Sequence, residues 1–162
     1  MRNAATAVIV AGMALATAAC HRTPPPSGVT SVQARIEGIT CPTCVPPLQA
    51  SLKRQYQTSA INVDDEKDTA TVQFAKGEDF SAAAFQDAVE RVRMRVVTLR
   101  VQACGLVEDA GGAKWMAAGQ NRFRLRSDQE IPVGKTICAD GSLDTTRTPA
   151  TFQVSAFKEN GR

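Results

Sequence analysis

The sequence predicts an α+β fold followed by a small all-β part, on three observations. Apolar residues alternate with polar ones in four short stretches before residue 103, and two intervening stretches repeat at helical spacing. After residue 102 the helical spacing disappears, and short alternating segments are separated by Gly111, Gly112, Gly119, Gly134 and Gly141.

Val32, Ala34 and Ile36 alternate with Gln33, Arg35 and Glu37, which predicts a half-buried first strand. A loop of residues 38–44 follows, and then Leu48, Leu52 and Tyr56 at four-residue spacing predict an amphipathic helix. Pro46 and Pro47 fall in its opening turn, where a missing amide hydrogen costs little. Ile61 and Val63, then Ala70, Val72 and Phe74, flank the polar run 64–68 and predict a hairpin. Phe85, Ala88, Val89 and Val92 form the apolar face of a second helix. Asp79 or Ser81 is its candidate N-cap, and Phe80 is placed to pack on the first turn. Val97, Leu99 and Val101 alternate in a closing strand. The order βαββαβ over residues 31–102 predicts a four-stranded antiparallel sheet with both helices on one face, the ferredoxin-like arrangement.

In the second part, candidate strands are residues 104–108, 114–116, 122–126, 136–139 and 151–157. Their turn spacing looks OB-like, that is, like an oligonucleotide/oligosaccharide-binding barrel over residues 103–162. A β extension packed on the first sheet is the alternative. Trp115 is expected in the core. Arg122, Arg124 and Arg126 put three charges on one strand face, a pattern that is usually solvated and that allows attraction to anionic headgroups or an acidic partner.

The N-terminus predicts export. Arg2 precedes residues 4–19, which carry no charge and end in small residues before Cys20, a signal-peptide pattern that resembles the bacterial lipobox. Residues 1–19 are then a lipoprotein signal peptide and Cys20 the lipidated residue. A plain transmembrane helix fits less well, because the stretch is short and rich in Ala and Thr, and an ordinary secretory signal would leave Cys20 as a free thiol. Pro24, Pro25 and Pro26 make residues 20–30 an extended tether. At ~3.1 Å per residue it spans about 30 Å. The expected location is the bacterial cell envelope, facing the periplasm. His21 after Cys20 lacks the aspartate associated with inner-membrane retention in some bacteria, which leans toward the outer membrane.

Nineteen Lys and Arg against 16 Asp and Glu give a formal charge of +3, far from the excess of a nucleic-acid binder, so nucleic acid is not an expected partner. The only histidine, His21, lies beside the lipid site, which removes Ser-His-Asp, Cys-His and histidine-zinc sites from the folded part. No enzyme is expected. Apart from Cys20, four cysteines remain, and they divide into Cys41 with Cys44 and Cys104 with Cys138. The latter two lie on predicted strands, where a disulfide closing a long loop would stabilise a small exported barrel.

Cys41 and Cys44, two residues apart at a helix start, can direct both sulfurs at one ion, and backbone amides there favour the thiolate. Soft thiolates select Cu(I), Hg(II), Zn(II) or Cd(II). Two ligands suit linear Cu(I) or Hg(II) better than tetrahedral Zn(II). A disulfide between the two is the structural alternative.

The run Gly38, Ile39, Thr40, Cys41, Pro42, Thr43, Cys44 resembles the GMTCxxC loop of heavy-metal-associated domains, a family that includes periplasmic mercury-binding proteins and copper chaperones. The resemblance covers residues 31–102. It implies an exposed loop on which Cys41 and Cys44 hold Cu(I) or Hg(II), and a metal-transport or metal-accepting protein as partner. Ile39 stands where the family usually has methionine, a volume-conserving exchange. Arg93 and Met94 stand where it shows glycine and an aromatic. Met94 is therefore a third candidate metal ligand, with core packing as the alternative, and Arg93 or Arg95 are candidates to offset thiolate charge. A thioredoxin-like redox protein is the competing reading of CxxC. Its downstream strand proline has no counterpart, since no proline occurs between Pro47 and Pro132.

Overall fold

The computed structural model describes residues 27–75 and 78–160. The expected signal peptide, Cys20, His21 and most of the expected tether lie outside the described residues. Among the described residues no helix is long and apolar enough to cross a membrane.

The strands are β1 (Gly28–Glu37), β2 (Ala60–Asp64), β3 (Thr69–Gln73), β4 (Arg95–Ala110), β5 (Ala113–Ala118), β6 (Asn121–Arg126), β7 (Thr136–Asp144) and β8 (Thr151–Glu159). Helix α1 (Val45–Gln55) follows β1, and α2 (Ala82–Glu90) precedes β4. All eight strands form one sheet in the order β2-β3-β1-β4-β5-β6-β8-β7, and β4 also pairs with β7. That second pairing closes the last five strands into a barrel. Within it β6 and β8 run parallel.

The expected fold class, α+β with a ferredoxin-like βαββαβ domain followed by a separate small OB-like domain, is corrected here. Among the described residues 50% are strand against 17% helix, with a closed five-stranded barrel and two α-helices. The physical reason is β4. One 16-residue strand pairs with β1 at its start and with β5 and β7 further on, so the boundary expected between residues 102 and 103 falls inside it. Leu99, Val101, Ala103 and Val107 are buried along a single inward face, and one apolar cluster contains residues from both regions.

Around β1, Val32, Ala34, Ile36, Ala70 and Val72 are fully buried beneath Leu48, Leu52, Phe85, Ala88 and Val89 of the two helices. The Ser51 hydroxyl donates to the Ala88 carbonyl (2.6 Å), joining α1 to α2. Ser81 caps α2, its Oγ accepting the Ala84 amide, and Phe80 before it is buried. The Tyr56 hydroxyl donates to the Ser81 carbonyl (3.1 Å), and burial pushes its pKa up to about 12. Helix α2 ends with Arg93 at φ +59, while the Met94 amide reaches back to the Val89 carbonyl (3.3 Å). This is a Schellman-like stop with arginine in the left-handed position that usually takes glycine.

Two expected core residues are exchanged with their neighbours. Val97 is 50% exposed, because the β1–β4 register shifts between Arg35↔Thr98 and Ile36↔Val96, and the bulge leaves Val97 as the extra residue facing out. Trp115 is only partly buried. Met116 and Ala118 take the inward positions of β5, and the Arg122 guanidinium stacks 4.9 Å from the Trp115 ring centroid. At the start of the fold, β1 begins at Gly28, so the tether ends earlier than residue 30. Ser27 Oγ accepts the Gly119 amide (3.2 Å) at the β5–β6 turn.

Candidate functional site

The loop carrying Cys41 and Cys44 is shaped by contacts beneath it. Gly38 has φ +109, and a Cβ there would lie 3.2 Å from Met94 Cγ, so the backbone leaves β1 directly over Met94. Ile39 is 2% exposed and joins the core cluster. With that side chain inserted, Thr40 turns outward, Cys41 is extended, and Pro42–Cys44 makes one 3-10 turn closed by the Cys44 amide on the Cys41 carbonyl (2.9 Å). Helix α1 starts at the next residue. Both cysteines are half-buried while Pro42 and Thr43 are exposed, and the two sulfurs lie within disulfide-bonding distance with Cα atoms 5.4 Å apart.

Each sulfur has a threonine beside it. The Thr43 hydroxyl is 3.0 Å from Cys41 Sγ, and the Thr40 hydroxyl is 4.0 Å from Cys44 Sγ. A disulfide sulfur carries no hydrogen, so in that state the hydroxyls donate. On reduction the same donors favour the charged thiolate. The helix start supplies less than its position suggests. The Cys44 and Val45 amides are bonded to the Cys41 and Pro42 carbonyls, and Pro46 and Pro47 have no amide hydrogen. What α1 offers is therefore mainly its aligned peptide dipole.

Met94 lies under the loop, 8% exposed and within the apolar cluster that contains Ile39. In this arrangement it supports Gly38, and acting as a ligand would require it to leave that contact. Arg95 is committed elsewhere, its Nε donating to Glu37 Oε2 (2.9 Å) across the β1–β4 pair. Arg93 is exposed at the end of α2. Among the described residues no group of three or more His, Cys, Asp or Glu converges as a metal cluster.

The second cysteine pair is built differently. Cys104 of β4 and Cys138 of β7 are direct cross-strand partners with Cα atoms 4.0 Å apart and sulfurs within bonding distance. They sit on the strand pair that closes the barrel, on the face opposite Val101 and Ala103. Arg122, Arg124 and Arg126 share the outer face of β6 as alternation predicts. Arg122 approaches Glu108 at 3.6 Å as well as stacking on Trp115. The threonine hydroxyls went unremarked in the sequence reading, although Thr40-Cys41 and Thr43-Cys44 are adjacent in the chain and the signal was legible there. Comparison of the chain with protein-family models, with curated proteins and with solved structures finds no match.

Proposed function

We propose that the reduced Cys41–Cys44 pair captures a soft metal ion, Cu(I) or Hg(II), as cargo and passes it to another protein by ligand exchange. An incoming thiolate would bind the ion as one of the two sulfurs leaves. The observation that carries this reading is the placement of two adjacent sulfurs on an outward-facing loop, with a hydroxyl beside each and the supporting side chains, Ile39 and Met94, held below. Two thiolates without further charged ligands suit linear soft ions and leave Zn(II) under-coordinated. The resemblance of residues 38–44 to the heavy-metal-associated loop supports the same chemistry. The N-terminal pattern supports a chain lipidated at Cys20 and held on the periplasmic side of the envelope.

The test is titration of the fully reduced protein with Cu(I) against a competing chelator. One equivalent should bind tightly, persist in the Cys104→Ser/Cys138→Ser variant and vanish in the Cys41→Ser/Cys44→Ser variant. Unchanged binding in the latter sinks the proposal. A second reading is favoured by the sulfur proximity itself: a standing Cys41–Cys44 disulfide on a structural or partner-docking lipoprotein. Counting free thiols in protein taken directly from the cell envelope separates the two.

A further inference from the structure

We propose that the cleft where β5 and β6 part is a binding site for the phosphate group of a small phosphorylated ligand, held by Arg124 and Arg126. The pairing pattern creates the cleft. β5 and β6 are partnered only from Trp115↔Arg124 to Ala118↔Asn121. Beyond that point Lys114 and Ala113 remain paired with β4, whereas Leu125 and Arg126 pair with Phe152 and Gln153 of β8. The sheet splits there, and Ser127, Asp128, Gln129 and Ile131 wall off a cleft of about 450 Å3. That size admits a phosphorylated polyol or sugar.

The charge of the lining selects an anion. Lys114, Arg124 and Arg126 line the cleft, with Asp128 the one carboxylate of the lining. Lys114 Nζ donates to the Ile131 carbonyl (2.5 Å), which pins the wall to β5 and adds a third cationic side chain to the lining. Arg122, the third arginine of the strand, is already matched by Glu108 and Trp115. Arg124 and Arg126 have no carboxylate within ion-pair distance among the described residues. Two residues apart on one strand face, their Cα atoms are about 7 Å from each other at ~3.3 Å rise per residue, close enough for two long side chains to meet on one phosphate. Guanidinium groups match phosphate oxygens bidentately, which an ammonium cannot do. Gln153 and Ser127 add neutral hydrogen-bonding groups for the ligand's hydroxyls. None of this involves the thiol pair, so it stands or falls independently of metal capture.

The phosphate can come from a free metabolite or from a phospholipid headgroup, and both carry the same chemistry. The full chain with Cys20→Ser is titrated with glycerol 3-phosphate and with inorganic phosphate while backbone amide resonances are followed, and is separately sedimented with phosphatidylcholine vesicles with and without phosphatidylglycerol. Saturable shifts confined to residues 112–114 and 124–131 are expected, with affinity falling about tenfold in Arg124→Gln and again in Arg126→Gln. Asp128→Asn should tighten binding by removing the opposing charge. Binding of the soluble phosphates without vesicle preference assigns a free ligand. Phosphatidylglycerol-dependent sedimentation lost in the same two variants assigns a headgroup. No saturable binding in either arm, or binding that Arg124→Gln, Arg126→Gln and an Arg35→Gln control weaken equally, overturns the proposal.

Discussion

The helix-backed end of the sheet and the barrel bury their apolar surface by different means, although β4 runs through both. At the helical end, β1 and β3 present Val32, Ala34, Ile36, Ala70 and Val72 to side chains of α1 and α2, so the fit depends on volume: Leu48, Leu52, Tyr56 and Phe85 fill the gap. In the barrel the sheet covers itself, and its tightest points are set by missing volume. A Cβ on Gly105 would lie 2.1 Å from the Ala117 carbonyl oxygen, and one on Gly141 would lie 2.0 Å from that of Gln153. Glycine at these places lets strands bend into a closed barrel. The two cysteine pairs follow the same division. Cys41 and Cys44 sit on a loop outside the sheet, while Cys104 and Cys138 join the strands that complete the closure.

This contrast makes substitutions of opposite kinds damaging at the two ends. Gly141→Ala and Gly105→Ala should cost about 4 kcal/mol or more, because backbone rather than a yielding side chain stands in the way. Chemical denaturation measures the loss, and a neutral Gly141→Ala would break the account of closure. At the helical end Phe85→Ala should cost about 4 kcal/mol through the cavity it leaves, and Phe85→Leu much less.

Removing Cys104 and Cys138 together as serines should cost about 4 kcal/mol, since their pairing closes a loop with a sequence separation of 34. Removing Cys41 and Cys44, separated by 3, should cost about 2 kcal/mol at most. Equal losses would show that the first pair is as structural as the second. Arg93→Gly works in the other direction. With φ +59 in the native state, glycine relieves left-handed strain and should stabilise the protein by about 1 kcal/mol, read as a rise in Tm.

The smallest effect at neutral pH belongs to Tyr56, the single tyrosine. Burial raises its pKa from the ordinary tyrosine value of 10.0 to about 12. Its contribution to stability is therefore complete below pH 10 and is lost as pH rises from there through about 12. Ultraviolet titration should show ionisation near the upper value in the folded protein and near the lower one in denaturant. Ionisation near pH 10 without unfolding would place Tyr56 outside the shared core of α1 and α2.

Legibility in the sequence differed between the same two regions. Helices α1 and α2, the β2–β3 hairpin and the Ser81 cap were readable because spacing, capping residues and turn chemistry are local. The barrel strands were found in outline, but β4 was read as two strands. Ala103 and Gly105 look like a break, yet Gly105 is small because Ala117 passes close by, 12 residues on in the chain. Val97 was assigned inward because alternation assumes no bulge, and the bulge depends on pairing with β1. In the loop of Cys41 and Cys44 the cysteine spacing was legible. The missing amide donors of Pro46 and Pro47 are legible there too, whereas the engagement of the Cys44 and Val45 amides in the 3-10 turn is visible only in the fold.

By itself the sequence determined the period of each element, the spacing of the cysteines and the arginine face of β6, since each is carried by neighbouring residues. Only the tertiary structure decided that one strand serves both regions, that five strands close, that Met94 supports Gly38, and that β5 and β6 part beside Arg124 and Arg126. Those outcomes depend on which distant backbones approach each other, and close approach between segments far apart in the chain leaves no local pattern beyond an occasional glycine.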